Sequence, residues 1–385
     1  MSRREGIGLI AGAAALALGG VAAGLKLERD LIGRRLRAQL AETDEDFFGL
    51  RSDGPLVETL DGVRLHVEVD PRREPVEGPK PIPAPEPRQG PELVEGPKPE
   101  YSAEDVTVIF VHGYALSLDC WHFQRKHYRG RHRMIFYDQR SHGRSSRSSA
   151  SLCRIPQLAN DLAQILLEVA GPGPVILIGH SMGGMTIMEL AQQHPEWFGT
   201  DRGPVDGVGP IIGVGLVCTS ADDLLDPHPV RGLPGRVAAR LAEPTLAVLN
   251  RIPTTVEQTR QAGSDLAYLI TRGMSFPSPV PASYVQFLSD MLGQTPLEVV
   301  ADFLPAFAGL DESAGLAVIN SAVPTTVIGA KQDLVTAYRH TEAILELLPN
   351  AEKLILEESG HMAMIEHHDE VNAMLDRLID RALRR

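Results

Sequence analysis

The chain has 385 residues, of which 43% are hydrophobic, so it is long enough for one large core with an insertion or for two domains. Its formal net charge of -13 argues against a nucleic-acid partner, because binding to phosphate backbones normally requires a basic face. Cys120, Cys153 and Cys218 form no CxxC or Cys/His cluster. We therefore predict buried free thiols and no metal site, although one bridge plus one free thiol would also fit the odd count.

Residues 6–25 form an uncharged, Ala- and Gly-rich stretch about as long as a helix needs to cross a bilayer. Three interpretations compete: a membrane anchor, a secretory signal peptide cut near residues 21–23, and an apolar helix packed on the domain. We favour the anchor, which predicts a membrane-associated protein, whereas the signal peptide predicts a secreted one. The orientation stays open, although the larger basic cluster follows the stretch and would remain cytoplasmic. An amphipathic helical pattern follows over residues 26–40. We therefore treat residues 1–40, which include the apolar stretch and this pattern, as a separate N-terminal unit.

Two alternating runs, residues 56–60 and 63–69, are separated by Asp61-Gly62, which is a strong signal for a β-hairpin. Residues 71–100 are rich in Pro, Glu, Gly and Lys, and the hexapeptide Val-Glu-Gly-Pro-Lys-Pro begins at both Val76 and Val94. This composition favours a solvated, extended loop. A proline-rich docking site is the alternative.

From residue 106 onwards, apolar runs of strand length alternate with helical patterns. The runs cover residues 106–111, 133–137, 175–179, 211–219, 324–329 and 353–357. The helical patterns cover residues 158–170, 182–194, 338–348 and 364–383. Because runs apolar on both faces suit a parallel sheet covered by helices, the sequence predicts an α/β fold with a mostly parallel, doubly wound sheet.

The segment from residue 220 to 321 shows helical periodicity and many prolines but no convincing strand. It is too long for a simple connection, so we predict a helical cap over the ends of the strands. The core is then divided into residues 56–219 and 322–385.

Residues 175–184 follow the order strand, Gly-x-Ser-x-Gly, helix, with Ser181 at the centre. This order suits a serine on a sharp, strained turn, where Gly179 and Gly183 leave room for the backbone to fold tightly. A bare Gly-x-Ser-x-Gly also arises by chance. The strand before it and the helix after it favour a catalytic nucleophile over a structural turn.

These features resemble the α/β-hydrolase superfamily of esterases, lipases and epoxide hydrolases over about residues 56–385. His112-Gly113, after the run 106–111, resembles the family's HG motif. Residues 138–145, Asp-Gln-Arg-Ser-His-Gly-Arg-Ser, resemble its D-x-R-G-x-G-x-S turn, with Ser141 where glycine is usual. The resemblance implies the α/β-hydrolase fold.

The resemblance also implies an oxyanion hole made of two backbone amides, and the residues at the matching positions are Tyr114 and Met182. The side chain of Tyr114 is in addition a candidate for lining the substrate pocket. For His112 we expect hydrogen bonds that hold the loop rather than proton transfer.

A serine is a poor nucleophile at neutral pH and needs a base within reach. Among the 13 histidines, His361 follows the last strand on a glycine-containing loop, where the resemblance expects the catalytic histidine. His340, His367 and His368 fall on helical patterns, and we predict that they are solvated.

A carboxylate must fix the tautomer of the imidazole and stabilise its charged form. Asp333 follows the run 324–329 on a loop, and the chain order Ser181, Asp333, His361 is the order of this fold. Asp222 and Asp223 are the competitors, because some family members place the acid after the earlier strand. We favour Asp333.

A serine nucleophile implies acyl transfer, which needs no metal or organic cofactor. Related dehalogenases and epoxide hydrolases have an aspartate at this position, so the serine argues against those activities. Apolar and aromatic residues of the cap, followed by Phe303 and Phe307, are candidates for lining the pocket: Met274, Phe276, Tyr284 and Phe287. They favour an apolar acyl chain and hence a small-molecule ester or lipid substrate. The alternatives are a cofactor-free perhydrolase or C–C bond hydrolase, and a non-catalytic binding protein on this scaffold.

Overall fold

The computed structural model describes residues 45–73, 106–201, 203–224 and 271–384. The predicted anchor at residues 6–25, the pattern at 26–40, most of the proline-rich loop 71–100 and residues 225–270 of the predicted cap lie outside these ranges. Within the described ranges, no helix has both the length and the apolar character needed to cross a bilayer.

The described residues form a sheet of eight strands in the order β1-β2-β4-β3-β5-β6-β7-β8. The strands are β1 (Leu56–Glu58), β2 (Arg64–Asp70), β3 (Thr107–Val111), β4 (Arg133–Tyr137), β5 (Val175–His180), β6 (Ile211–Val217), β7 (Thr325–Ala330) and β8 (Glu352–Leu356). Strand β2 pairs antiparallel with β1 and with β4, and all other pairs are parallel. The predicted hairpin and the mostly parallel, doubly wound sheet are confirmed.

Helices cover both faces of this sheet. In chain order they are α1 (His122–Tyr128), α2 (Ile155–Ile165), α3 (Met182–Gln193), α4 (Ala282–Gln294), α5 (Leu297–Phe303), α6 (Ser313–Ala322), α7 (Tyr338–Leu347), α8 (Ala363–Glu366) and α9 (His368–Leu383). Helices α2, α3, α5, α6 and α7 contribute to the hydrophobic cluster on one face. Helices α1, α4, α8 and α9 contribute to the cluster on the other.

Strand β3 illustrates why the sheet is covered on both sides. Ile109 and Val111 belong to the first cluster, Val108 and Phe110 belong to the second, and all four are fully buried. Because successive side chains of a strand point to opposite faces, a run that is apolar at every position requires a helix layer on each side.

Helix α6 lies within the predicted cap range but packs on α3 in the core. A Cβ on Gly315 would lie only 1.9 Å from the carbonyl oxygen of Met188, so the two helices cross at a distance that admits no side chain there. Of the predicted cap, the structure describes residues 220–224 and 271–321. The three cysteines are free and buried, as predicted.

The structure of the turn at residues 138–145 accounts for Ser141, its one departure from the family pattern. Ser141 adopts a left-handed φ of 66°, a conformation that glycine takes without strain and other residues rarely adopt. Its hydroxyl accepts a hydrogen bond from the N–H of Ser148 at 2.9 Å, which helps to hold this conformation. Asp138 accepts from the N–H groups of Leu118 and Arg144, both at 2.8 Å, and so ties the turn to the segment after β3.

Candidate active site

Ser181 lies on the turn between β5 and α3. Its φ of 53° and ψ of -121° fall in a region that stores about 1–3 kcal/mol of strain in a non-glycine residue. Its N–H donates to the carbonyl oxygen of Val217 at 3.0 Å, and its own carbonyl accepts from the hydroxyl of Thr219 at 2.7 Å. Since Val217 ends β6 and Thr219 follows it, the neighbouring strand fixes the strained turn.

Gly179 and Gly183 stand where the backbone packs too closely for a side chain. A Cβ on Gly179 would lie 2.5 Å from the carbonyl oxygen of Gly183. A Cβ on Gly183 would lie 2.1 Å from the carbonyl oxygen of Val111, the last residue of β3. The two glycines therefore allow β3, β5 and the start of α3 to meet around Ser181.

Residues 112–116, called here the β3 loop, lie directly beside Ser181. A Cβ on Gly113 would come 3.1 Å from the Cβ of Ser181. The ring of His112 donates from Nδ1 to the carbonyl of Gly113 at 2.7 Å and accepts at Nε2 from the N–H of Gln139 at 2.9 Å. Burial lowers the pKa of His112 to about 4, so the ring is neutral at physiological pH and can make both bonds. These bonds hold the loop, which is the role expected for His112.

The two amides predicted to form the oxyanion hole, those of Tyr114 and Met182, lie next to the contact between Gly113 and Ser181. Met182 is the first residue of α3, and the first N–H groups of a helix have no partner within the helix. Tyr114 follows Gly113 in the β3 loop. The close contact is between Gly113 and Ser181. The amide of Tyr114 directly follows Gly113 in the sequence, and the amide of Met182 directly follows Ser181.

The structure brings His361 and Asp333 together. His361 Nδ1 lies 2.9 Å from Asp333 Oδ2, and the two residues are 8% and 5% exposed. Asp333 Oδ1 accepts from the N–H groups of Val335 and Thr336 at 2.8 and 2.9 Å. These bonds hold the carboxylate in one orientation. Because Nδ1 then carries the proton that it donates, Nε2 of His361 keeps a basic lone pair.

Thr336 is a residue that the sequence reasoning missed. Its hydroxyl lies 2.9 Å from Asp333 Oδ2, 2.9 Å from the carbonyl oxygen of Cys218 and 3.3 Å from His361 Nδ1. The available signal was a threonine shortly after an aspartate on a loop, a pattern typical of side chains that bond to the local backbone.

His180 is a second missed residue. It donates from Nε2 to the carbonyl oxygen of His361 at 2.9 Å, and the centroids of the two rings lie 4.7 Å apart. Burial lowers its pKa well below the usual value, so the ring is neutral. It thereby links the residue before Ser181 to the backbone of His361.

Asp222, the competing acid, contacts a different histidine. His340 Nδ1 contacts Asp222 Oδ1 and lies 2.9 Å from Ser220 Oγ, and His340 is only 2% exposed. The prediction that His340 is solvated is therefore wrong, because the start of α7 packs against the loop that follows β6. Asp223 lies half-buried on that loop. The carboxylate that the structure brings to His361 is that of Asp333.

The other two histidines predicted to be solvated are half-buried. The ring of His368 stacks on Phe123 with centroids 4.0 Å apart, and the side chain of His367 is 23% exposed. The predicted helix over residues 364–383 is divided at His367, which lies between α8 and α9. Helical periodicity could not show what covers the two histidines.

The predicted pocket residues separate into two groups. Tyr114 packs against Phe307 and Phe303, with ring centroids 5.1 and 6.5 Å apart. Tyr284 and Phe287 instead pack on Phe47 at 5.6 and 4.4 Å, within the cluster on the other face of the sheet. Phe276 belongs to that second cluster too, whereas Met274 is 45% exposed. Tyr114 thus has aromatic neighbours from α5 and the turn after it. The aromatic residues of α4 do not reach it, because they fill the core on the other face of the sheet.

Among the residues that the structure describes, no three His, Cys, Asp or Glu side chains cluster in a way that could hold a metal ion.

Comparison with known proteins supports the fold described above. The model of the alpha/beta hydrolase fold family matches residues 106–368, more than half of the chain. The dihydrolipoyllysine-residue acetyltransferase component of an acetoin cleaving system from Cupriavidus necator is 26% identical over 277 residues, covering 70% of this chain and 62% of the relative. The chain thus spans less than two thirds of that relative's length.

Solved structures show the same fold at low sequence identity. An esterase from Exiguobacterium antarcticum superposes with a TM-score of 0.60 at 16% identity, covering 85% of this chain and 100% of the esterase. A bromoperoxidase from Bacillus anthracis superposes with a TM-score of 0.61 at 18% identity, again covering 85% and 100%. The family match and the shared architecture lead to one conclusion: the chain belongs to the alpha/beta hydrolase fold family.

Proposed function

We propose that this protein is a serine hydrolase that cleaves carboxylic esters, with Ser181 as nucleophile, His361 as general base and Asp333 as the acid that orients it. The observation that carries the proposal is the 2.9 Å contact between His361 Nδ1 and Asp333 Oδ2. It leaves Nε2 of His361 as the basic atom of the ring, in a site that also contains the strained Ser181 and the β3 loop.

In the first half of the proposed reaction, Nε2 of His361 takes the hydroxyl proton of Ser181 while Oγ attacks the ester carbonyl carbon. The electron pair of the carbonyl moves onto its oxygen, and this oxyanion accepts hydrogen bonds from the N–H groups of Tyr114 and Met182. As the bond to the alcohol breaks, the protonated His361 gives its proton to the leaving oxygen. The acyl group is then bound to Ser181.

In the second half, water attacks the acyl carbon and His361 takes a proton from it. The same two amides stabilise the second oxyanion. Collapse of this intermediate breaks the bond to Ser181 Oγ, which regains its proton from His361, and the carboxylic acid leaves.

The surroundings of the β3 loop support an apolar acyl group. Phe303 and Phe307 are buried and pack on the ring of Tyr114. Burial also raises the pKa of the Tyr114 phenol well above its usual value, so this side chain stays neutral. Burial of hydrocarbon on such a surface contributes about 25 cal/mol per Å². The proposed substrate is therefore a small-molecule ester or lipid with an apolar acyl chain.

Two alternatives use the same fold. A perhydrolase would pass the acyl group from Ser181 to hydrogen peroxide, and a C–C bond hydrolase would cleave a ketone with the same serine and base. A non-catalytic binding protein would turn over no substrate at all. Peracid formation from acetate and peroxide, measured beside ester hydrolysis, distinguishes the first alternative.

The proposal is tested by the Ser181→Ala variant with p-nitrophenyl acetate, butyrate and octanoate. We expect kcat to fall by about 10⁴-fold or more, because no other group supplies the attacking oxygen. The wild-type protein should prefer the longer acyl chains. A variant that keeps more than about a tenth of the wild-type rate, a loss far below that expected for a nucleophile, would remove Ser181 from the mechanism.

Ser220→Ala is the matched control. Ser220 is also buried and lies 2.9 Å from a histidine ring that contacts an aspartate. In this cluster, however, both contacts involve the same atom, Nδ1 of His340, so the ring cannot act as a base toward Ser220 while it donates to Asp222. We expect this variant to retain its esterase activity.

A further inference from the structure

The β3 loop contains a strained residue of its own. Ala115 adopts a φ of 58°, in the left-handed region that side chains with a Cβ rarely occupy, and it is 8% exposed. Such a conformation persists only where the surrounding structure fixes it. The contacts of the loop therefore show what determines its shape.

Two hydrogen bonds connect the loop with residues 295–303, which follow α4 and include α5 and are called here the α4–α5 segment. Thr295, which follows α4, donates from its hydroxyl to the carbonyl oxygen of Ala115 at 3.0 Å. The hydroxyl of Tyr114 donates to the carbonyl oxygen of Val300 in α5. One bond holds the side chain of Tyr114, and the other holds the peptide that follows Ala115.

The segment that makes these bonds is itself well fixed. The N–H of Thr295 donates to the carbonyl of Leu292 at 3.2 Å, and Pro296 directly precedes α5. The fixed φ of proline suits the start of a helix. Thr295 is buried, and Phe303 at the end of α5 packs on the ring of Tyr114. The segment can therefore act as a rigid support for the loop.

We propose that the α4–α5 segment sets the position of the Tyr114 amide, and that Thr295 is a positioning residue of the oxyanion hole. This inference rests on the proposed function. Donors in such a hole act only when they lie about 2.7–3.1 Å from the oxyanion, so a small rotation of the loop weakens catalysis. Thr295 does not touch the reacting atoms, and it acts through the carbonyl of Ala115.

The first test is the Thr295→Val variant, which removes the hydroxyl and nearly keeps the shape of the side chain. It leaves the buried carbonyl of Ala115 without its donor. We expect kcat to fall about tenfold while KM changes less than about twofold, because the transition state is affected and substrate binding is not. Thr295→Ser restores the hydroxyl and should recover most of the rate.

Thr326→Val is the matched control. Thr326 lies in β7, is fully buried, and its hydroxyl has no hydrogen-bond partner within the part of the chain that the structure describes. This variant should keep the wild-type kcat. Equal kcat values for Thr295→Val and Thr326→Val would overturn the proposal, as would a Thr295→Ser variant no faster than Thr295→Val.

Hydrogen exchange of the peptide that contains residues 113–116 supplies a measurement that does not depend on activity. Its amides should exchange faster in Thr295→Val than in the wild type or in Thr326→Val, with β5 and α3 unchanged. Unchanged exchange in the loop overturns the proposal, and so does faster exchange that extends through β5 and α3, which would indicate general loosening. If the wild-type protein hydrolyses no ester, the proposed function fails, whereas the exchange data still decide whether Thr295 holds the loop.

Tyr114→Phe removes the other bond and serves if Thr295→Val does not fold. It should likewise lower kcat more than it raises KM, and it should speed exchange in the same peptide. An unchanged kcat for this variant counts against the proposal.

Discussion

At the scale of single residues, the structure holds the carboxylate of Asp333 firmly against His361. The carboxylate receives two backbone N–H groups, the hydroxyl of Thr336 and the imidazole of His361. Four donors leave it little freedom to turn away. In the proposed mechanism this arrangement fixes the tautomer of His361 and stabilises its protonated form.

Asp333→Asn should therefore lower kcat by about 10⁴-fold, the loss that is typical when the acid of a triad is neutralised. The asparagine amide favours the wrong tautomer of His361 and cannot stabilise the charged ring. Asp222→Asn is the control, since Asp222 contacts His340, and it should reduce the rate much less. Steady-state kinetics of the two variants with a p-nitrophenyl ester show which aspartate, Asp333 or Asp222, supports catalysis. A crippled Asp222→Asn beside an active Asp333→Asn would move the acid to the loop after β6.

Ser181, Asp333 and His361 could be proposed as a triad from the sequence, because each follows an apolar run on a short loop and the resemblance to α/β-hydrolases expects the three in this order. Thr336 and His180 could not, because their contacts with the site depend on which loops meet at the end of the sheet. His340 shows the converse error. Its helical pattern correctly predicts a helix, but periodicity does not reveal that the loop after β6 covers it.

At the scale of elements, the packing of α6 on α3 encloses two carboxyl groups. Glu312, directly before α6, and Glu189 in α3 are 3% and 8% exposed. Burial and the neighbouring carboxyl of Glu189 raise the pKa of Glu312 from 4.5 to about 8. The folded state thus keeps a proton that the unfolded chain releases, and stability should fall as the pH rises from about 4.5 towards 8.

Glu312→Gln should reduce this pH dependence, because a glutamine needs no proton to remain neutral. We expect a flatter plot of melting temperature against pH between 5 and about 8 than for the wild type. Glu298→Gln, at an exposed position of α5, is the control and should leave the slope unchanged. Parallel curves for Glu312→Gln and the wild type would show that Glu312 does not retain a proton in the folded state.

The strands were predictable because a short apolar run between turn residues, rich in Val and Ile, is typical of a buried strand. The predicted run 211–219 ends earlier, at Val217, because Cys218 adopts a left-handed φ of 44°. Helices α4 and α5 were harder to locate, since Pro281 and Pro296 directly precede them and part of their apolar surface faces the core. Local patterns give the type of an element but not the neighbour against which it packs.

At the scale of the whole molecule, the site lies far along the chain from the predicted membrane anchor at residues 6–25, which lies outside the described residues. We propose that this stretch attaches the protein to a membrane and that the basic residues after it add about 1 kcal/mol each on an anionic surface. The full-length protein should sediment with membranes and resist an alkaline carbonate wash. A variant without residues 1–41 should stay in the supernatant and keep its esterase activity.

Other outcomes of this fractionation have distinct meanings. Release by carbonate would indicate surface attachment without insertion. A secreted form without its first ~23 residues would indicate a cleaved signal peptide. The intact chain in the supernatant would contradict both and leave a helix docked on the domain.

The identity of the nucleophile is tested most directly by labelling with a fluorophosphonate followed by peptide mapping. The account predicts one adduct, on Ser181, which disappears in Ser181→Ala and persists in Ser220→Ala. It also predicts much slower labelling of Asp333→Asn, because His361 then loses the carboxylate that orients it. An adduct on another serine, or labelling that survives in Ser181→Ala, would contradict the account.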